Sequence, residues 1–225
     1  MDIMLGLPTM KAANISTRKR IVAESLFKEI PEVISKYQLS DFDTPKFIVD
    51  LQAWIAATGW LTGRDTVKIN INVSNSQLCV FRNDVLNPYN YWEPQHVKQG
   101  FTWRDGSVSF RTLVDQGVHS IQVDIFEEEQ EFELSSDVIR AIEVPFETFE
   151  GIDTEVASTA DSEVISIPSG KYNLRCEFLG NINEQTPRIR LVFEKTNRIR
   201  FAILRADERL SLPENLVTCA EPVTP

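Results

Sequence analysis

The sequence predicts a mainly β protein, an antiparallel β-sandwich preceded by two or three amphipathic helices. From Val67 onward, apolar side chains recur with a period of two, whereas over residues 17–58 they recur at spacings of three and four. Turn residues such as Asp105–Gly106 and Ser169–Gly170 bound the alternating segments. A chain of 225 residues is long enough to bury the core of one such domain.

The helical prediction concerns residues 1–66, which form an N-terminal extension. Apolar residues between Ile21 and Ile30 fall on one helical stripe. A second helix is indicated by Thr44, a good N-cap residue, and by Pro45 at the first helical position, where no N–H is needed. Apolar helix faces are normally covered, so we expect this extension to pack on the β domain; a partner-binding face is the alternative.

The β domain is predicted to span residues 67–210, and residues 211–225 are predicted to form an irregular tail because prolines interrupt them. Eight segments within the domain alternate between apolar and polar residues, as half-buried strands do. In chain order they read VKININV, QLCVFR, SVSFRTL, SIQVDIF, RAIEVPF, KYNLRCEF, RIRLVFE and RIRFAIL.

The segment from Asn87 to Phe110 is less regular and rich in aromatic residues. We expect a long connection that its own aromatic side chains hold against the core. The alternative is a ligand-binding platform built from Tyr89, Trp92 and Trp103.

Charge is concentrated in one part of the chain. Residues 121–164 contain fourteen Asp and Glu against the single base Arg140, while the whole chain has a net charge of −10. A solvated acidic face is one explanation, and a surface that meets a strongly basic partner is the other. The same acidity argues against direct binding of nucleic acid or of an anionic membrane.

No residue pattern indicates an enzyme, a cofactor or a metal site. The chain has two histidines, His96 and His119, and no GxSxG, HExxH or Cys/His cluster at metal spacing. The Asp-x-Asp-x-Asp-Gly spacing of a calcium loop is also missing. Three cysteines without a CxxC pair, and no signal-like or membrane-spanning segment, predict a cytoplasmic protein.

A series of short motifs follows Trp92 in a distinctive order. They are QGFTWRDGSVSF at residues 99–110, VPF at 144–146, GIDTEVAS at 151–158 and IPSGKYNLRCEF at 167–178. In this order they resemble the competence protein J (ComJ) family over about Val67 to Leu179. The resemblance implies a protein that binds and inhibits a bacterial nuclease, either a DNA-entry nuclease or a nuclease toxin neutralised by an immunity-type protein. The matched residues have the character of turn and packing positions: Trp92, Gly100, Phe101, Trp103, Gly106, Pro145, Pro168, Gly170 and Tyr172.

The resemblance and the charge pattern lead to one hypothesis. Carboxylates would lie where phosphates lie in a basic nuclease active site, and long-range attraction would speed association. The first set of predicted partner-binding residues is Asp124, Glu127, Glu128, Glu129, Glu131 and Glu133, with Phe126 and Phe132 as core residues or apolar anchors. The second set is Glu143, Glu147, Glu150, Asp153 and Glu155. A structural or assembly module that uses the N-terminal helices is the alternative.

Overall fold

The structure is a computed structural model that describes residues 64–129, 132–180, 186–211 and 213–224. The helices predicted over residues 17–58 lie outside these ranges, as does the packing predicted for the N-terminal extension. Thr66–Pro225 form one compact unit. Its described part is mainly β, which confirms that element of the prediction.

Within the described ranges, eleven strands and one short helix follow one another. In chain order they are β1 (Arg64–Val73), β2 (Gln77–Arg82), α1 (Pro94–Gln99), β3 (Phe101–Arg104), β4 (Ser107–Arg111), β5 (Gly117–Phe126), β6 (Val138–Thr148), β7 (Thr154–Ser158), β8 (Asp161–Ile165), β9 (Gly170–Leu179), β10 (Arg188–Lys195) and β11 (Ala202–Arg205).

The strands form two sheets that share one core. The larger sheet has the order β1-β5-β10-β9-β6-β11, and the smaller has the order β3-β4-β2-β7-β8. Alternate residues of each sheet point to the same interior: Val123 and Leu174 of the larger sheet join Val80 and Phe110 of the smaller in one apolar cluster, all fully buried. Two sheets that share a core in this way are typical of a β-sandwich.

The prediction of a wholly antiparallel arrangement was wrong for one strand pair. β5 and β10 are parallel, with Ile121 opposite Ile189. The cause is that side-chain alternation reports which face of a strand is buried and carries no information about strand direction. Four strands separate β5 from β10 in the chain, so no hairpin turn fixes their relative direction.

The aromatic connection contains regular structure that alternation did not reveal. The backbone N–H of Glu93 donates to His96 Nδ1 (3.1 Å) at the start of α1, and the helix ends at Gly100 with φ +84°. β3 and β4 then form a hairpin with Arg104 opposite Ser107. The two turn residues between them are Asp105 and Gly106, a pair suited to such turns because Gly106 has φ +73°.

Residues 213–224 follow an irregular path along the aromatic connection. The buried side chain of Gln99 accepts from the N–H of Val217 and donates to its carbonyl, both at 2.9 Å. Farther along, the N–H of Val223 donates to the carbonyl of Tyr89 (2.8 Å). The tail is therefore held to the domain by backbone hydrogen bonds at several points.

Candidate partner-binding surface

The connection between β5 and β6, residues 127–137, carries much of the concentrated charge; we call it the acidic strap. β5 and β6 run in the same direction, with β10 and β9 between them. The strap therefore crosses the sheet along the strand direction. It starts where both strands end, which we call the upper edge, and finishes where both strands begin, which we call the lower edge. It crosses on the outer face, because Phe132 lies over Arg175, whose neighbours Leu174 and Cys176 point into the core.

Contacts near both edges and in the middle fix the strap to the sheet. At the upper edge, Glu127 pairs with Lys195 of β10 (3.4 Å). In the middle, the centroid of the Phe132 ring lies 3.6 Å from Cζ of Arg175, a cation–π geometry. At the lower edge, the carbonyl of Asp137 accepts from the N–H of Gly180 (2.7 Å). Glu127, Phe132 and Asp137 of the strap therefore contact the sheet in the free protein.

A balanced charge network lies on the outer face beneath the strap. Arg175 at the centre contacts Glu177 (2.6 Å), Glu143 (3.6 Å) and Glu194 (3.6 Å), and all four side chains are more than nine-tenths buried. Arg190 also pairs with Glu177 (2.5 Å), and Arg200 pairs with Glu143. Opposite charges lie close together here, which offsets the cost of burying them.

The first predicted set divides between interior and surface. Asp124 is buried and accepts hydrogen bonds from Thr66 Oγ1 (2.8 Å) and Gln122 Nε2 (3.0 Å). Phe126, Phe132 and Glu127 are half-buried, and the exposed members are Glu128, Glu129 and Glu133. Glu131 lies outside the described residues. The surface charge of this set is therefore carried by the strap and not by β5.

The second predicted set divides in the same way. Glu143 is buried in the network, Glu147 and Glu155 are half-buried, and Glu150 and Asp153 are exposed in the connection between β6 and β7. That connection lies at the upper edge, where the strap also begins. Three strand spacings separate β5 from β6. The start of the strap, at the end of β5, and the β6–β7 connection, at the end of β6, are therefore roughly 14 Å apart at the sheet.

The residues that carry the family resemblance lie in turns and in the interior. Trp103 Nε1 donates to the carbonyl of Pro145 (2.6 Å), which joins the smaller sheet to the larger. Tyr172 is buried, and its hydroxyl donates to the carbonyl of Pro168 (2.7 Å). Among the others, Phe101 is buried, Trp92 is half-buried, and Gly100, Gly106 and Gly170 adjoin strand ends.

Tyr89 and Trp103, two residues of the aromatic platform considered as an alternative, do not converge on one binding site. Tyr89 packs with Phe81 and Cys79, which face away from the main core. Trp103 packs against that core, and its ring meets Phe201 edge to face at 5.0 Å. The two side chains lie on opposite faces of the smaller sheet, so they cannot contact one ligand together.

A cavity of about 290 Å³ opens at the lower edge, lined by His119, Arg188, Ile139 and other residues. His119 Nδ1 lies 2.9 Å from the carbonyl of Gly117, so Nδ1 carries the proton and donates. Nε2 is buried and has no hydrogen-bond partner among the described residues. Burial lowers the pKa of His119, which is therefore neutral at physiological pH.

Two kinds of feature are absent from the described residues. Among the residues that the structure describes, no group of three or more His, Cys, Asp or Glu side chains is arranged to hold a metal ion. No helix in the described ranges is long and apolar enough to cross a membrane.

Burial raises the pKa of the Cys79 thiol to about 11, so this thiol is protonated at neutral pH.

Comparison with known proteins gives two family matches and two similar structures. The competence protein J (ComJ) family matches residues 70–202, and the immunity protein 44 (Imm44) family matches residues 1–57. No curated protein matches the chain. The crystal structure of ComJ from Bacillus subtilis, described as an inhibitor of the DNA-degrading activity of NucA, shares 18% identity with a TM-score of 0.50, covering 58% of this chain and 96% of that one. A structure described as crocagin biosynthetic gene J shares 13% identity with a TM-score of 0.40, covering 60% of this chain and 99% of that one.

Proposed function

The chain belongs to the competence protein J (ComJ) family, and on this premise we propose that it binds a nuclease and inhibits it without catalysing a reaction itself. The partner would be a basic protein, either a DNA-entry nuclease or a nuclease toxin. The related structure from Bacillus subtilis is described as a nuclease inhibitor, and its fold is shared. The match of residues 1–57 to an immunity protein family also fits a chain that neutralises another protein.

The acidic strap is the proposed contact surface. Its exposed carboxylates, Glu128, Glu129 and Glu133, project from a connection that is held to the sheet at several points. A nuclease active site is cationic because it holds phosphates, so these exposed carboxylates would meet a field of opposite sign. Because Glu127, Phe132 and Asp137 already hold this connection against the sheet, binding costs less conformational entropy than it would with a free loop.

The buried acids have a different proposed role. Asp124 and Glu143 are buried on the outer face and have hydrogen-bond or ion-pair partners there, so their carboxylates are not presented at the surface. We assign Asp124 to the hydrogen bond that joins β5 to Thr66 of β1, and Glu143 to the charge network around Arg175. The exposed Glu150 and Asp153 at the upper edge can extend the contact surface beyond the strap.

Inhibition is the direct test. A nuclease encoded beside this protein, or one that co-purifies with the full chain, is assayed for degradation of double-stranded DNA with and without the chain. We expect inhibition that saturates at a fixed ratio of the two proteins and weakens as salt is added, since salt screens charge over about 8 Å at physiological strength. Formation of a complex without loss of nuclease activity would contradict the proposal.

A further inference from the structure

At the upper edge the last residues of β6 extend past β11. β11 begins at Ala202, opposite Glu143, so the residues of β6 after Glu143 have no partner in β11. Pro145 lies in this open part, where its missing N–H costs no ladder hydrogen bond. Its carbonyl accepts from Trp103 Nε1. The indole thus substitutes for a neighbouring strand and forms one wall of a groove.

The groove has a volume of about 170 Å³. Its apolar walls come from Trp103, Pro145, Phe201 and Ile199, and Ile199 is 54% exposed. This volume is below the roughly 300–1,000 Å³ of pockets that enclose drug-sized ligands. It therefore suits a single side chain of a partner better than a cofactor.

Two carboxylates also line the groove, Asp105 and Glu147. Asp105 already pairs with Arg82 (3.4 Å). Glu147 is half-buried, and its carboxylate makes no hydrogen bond or ion pair with the described residues. Lys171 is its cross-strand neighbour and lines the same groove, yet the two side chains do not form an ion pair.

We propose that this groove binds a lysine side chain of the basic partner. The apolar walls cover the aliphatic stem, the Trp103 ring lies beside the cation, and Glu147 pairs with the ammonium. The chemistry is complementary because a chain of net charge −10 presents, among the apolar walls of the groove, a carboxylate that has no ion pair with the described residues. As a proposal about the partner it rests on the proposed function, but the groove itself is testable alone.

The first experiment needs no nuclease. Nα-acetyl-lysine methylamide and the uncharged Nα-acetyl-norleucine methylamide are titrated into the ¹⁵N-labelled full chain, and the indole N–H signal of Trp103 is followed by NMR. We expect the lysine probe to bind about two- to five-fold more tightly, the factor for one partly exposed charge pair. Glu147→Gln should remove this preference, and Lys171→Gln should strengthen it because a competing cation is lost. Equal binding of both probes, or no shift of this signal, would overturn the proposal.

The second experiment uses a nuclease that the chain inhibits. An anchor side chain acts mainly on dissociation, so Glu147→Gln should speed dissociation by up to about five-fold and leave the association rate almost unchanged. Inhibition with unchanged dissociation would leave the proposed function intact and reject the groove. If the groove selects the lysine probe but the chain inhibits no nuclease, the groove is supported and the proposed function is rejected.

Discussion

The guanidinium of Arg175 lies against the ring of Phe132, with Cζ 3.6 Å from the ring centroid, and this contact joins the acidic strap to the middle of the larger sheet. Above it are the exposed carboxylates of the strap, and below it is the buried network of Glu143, Glu177 and Glu194. One arginine therefore has two roles: it balances the buried acids and it holds in place the segment that carries the surface charge.

Replacing Phe132 by leucine should loosen the strap without changing its charge. Leucine retains apolar bulk but has no ring for the guanidinium, so a loss of about 0.5–2 kcal/mol in unfolding free energy is expected. Urea unfolding followed by circular dichroism measures it. Phe132→Tyr keeps the ring and is the matched control. Equal stability of the two variants would show that the cation–π contact contributes nothing.

Replacing Arg175 by methionine should be far more damaging. Three buried carboxylates would lose their shared cation, and removal of one partner from a buried ion pair costs about 3–5 kcal/mol. Arg190→Met is the comparison, because Arg190 also pairs with Glu177 but its side chain is 29% exposed. Its loss should cost about 1 kcal/mol or less. Similar costs for the two substitutions would contradict the central position given to Arg175.

Replacing Trp103 by phenylalanine should test the link between the two sheets. The ring contact with Phe201 is largely retained, but the carbonyl of Pro145 loses its donor, which costs about 1–3 kcal/mol. Trp92→Phe is the control, since Trp92 Nε1 has no hydrogen-bond partner among the described residues. Chemical denaturation compares them, and an equal or larger loss in Trp92→Phe would refute the argument.

His119 should make stability fall as the pH is lowered. Burial lowers the pKa of the folded imidazole, while in the unfolded chain it takes up a proton near pH 6.5. The unfolded state therefore binds more protons below about pH 6.5, and at pH 5.5 the resulting loss is at most about 1.4 kcal/mol. Unfolding at pH 7.5 and 5.5 should show this loss in the native protein and its absence in His119→Asn, which keeps a donor for the Gly117 carbonyl. An identical pH response of the two proteins would exclude the effect.

Alternation of apolar residues predicted most strands well, because a half-buried strand must alternate. QLCVFR forms β2 with the same bounds, and KYNLRCEF lies within β9. β7 and β8 were not predicted, because TEVAS buries the polar residues Thr154 and Ser158 and DSEVI exposes the apolar Val164. Asp105–Gly106 was predicted as a turn, but β3 was not predicted to precede it.

The candidate surface was harder to predict than the fold. Charge density pointed to the region of the strap, but it could not separate exposed Glu128 and Glu129 from buried Asp124 and Glu143. Alternation places Asp124 and Glu143 on the outer face, where side chains are ordinarily solvated. Their burial depends on tertiary contacts, among them hydrogen bonds from Thr66 and ion pairs with Arg175 and Arg200, which are remote in the sequence.

The rate of association with the inhibited nuclease tests the strap most directly. The triple variant Glu128→Gln, Glu129→Gln, Glu133→Gln is compared with Glu163→Gln, Glu208→Gln, Glu214→Gln, which removes the same charge from exposed acids outside the strap. Circular dichroism verifies that both fold. At low salt the strap variant should associate at least about ten-fold more slowly than the native protein, with a weaker salt dependence, while the control changes little. Equal rates for the two triple variants would contradict the account.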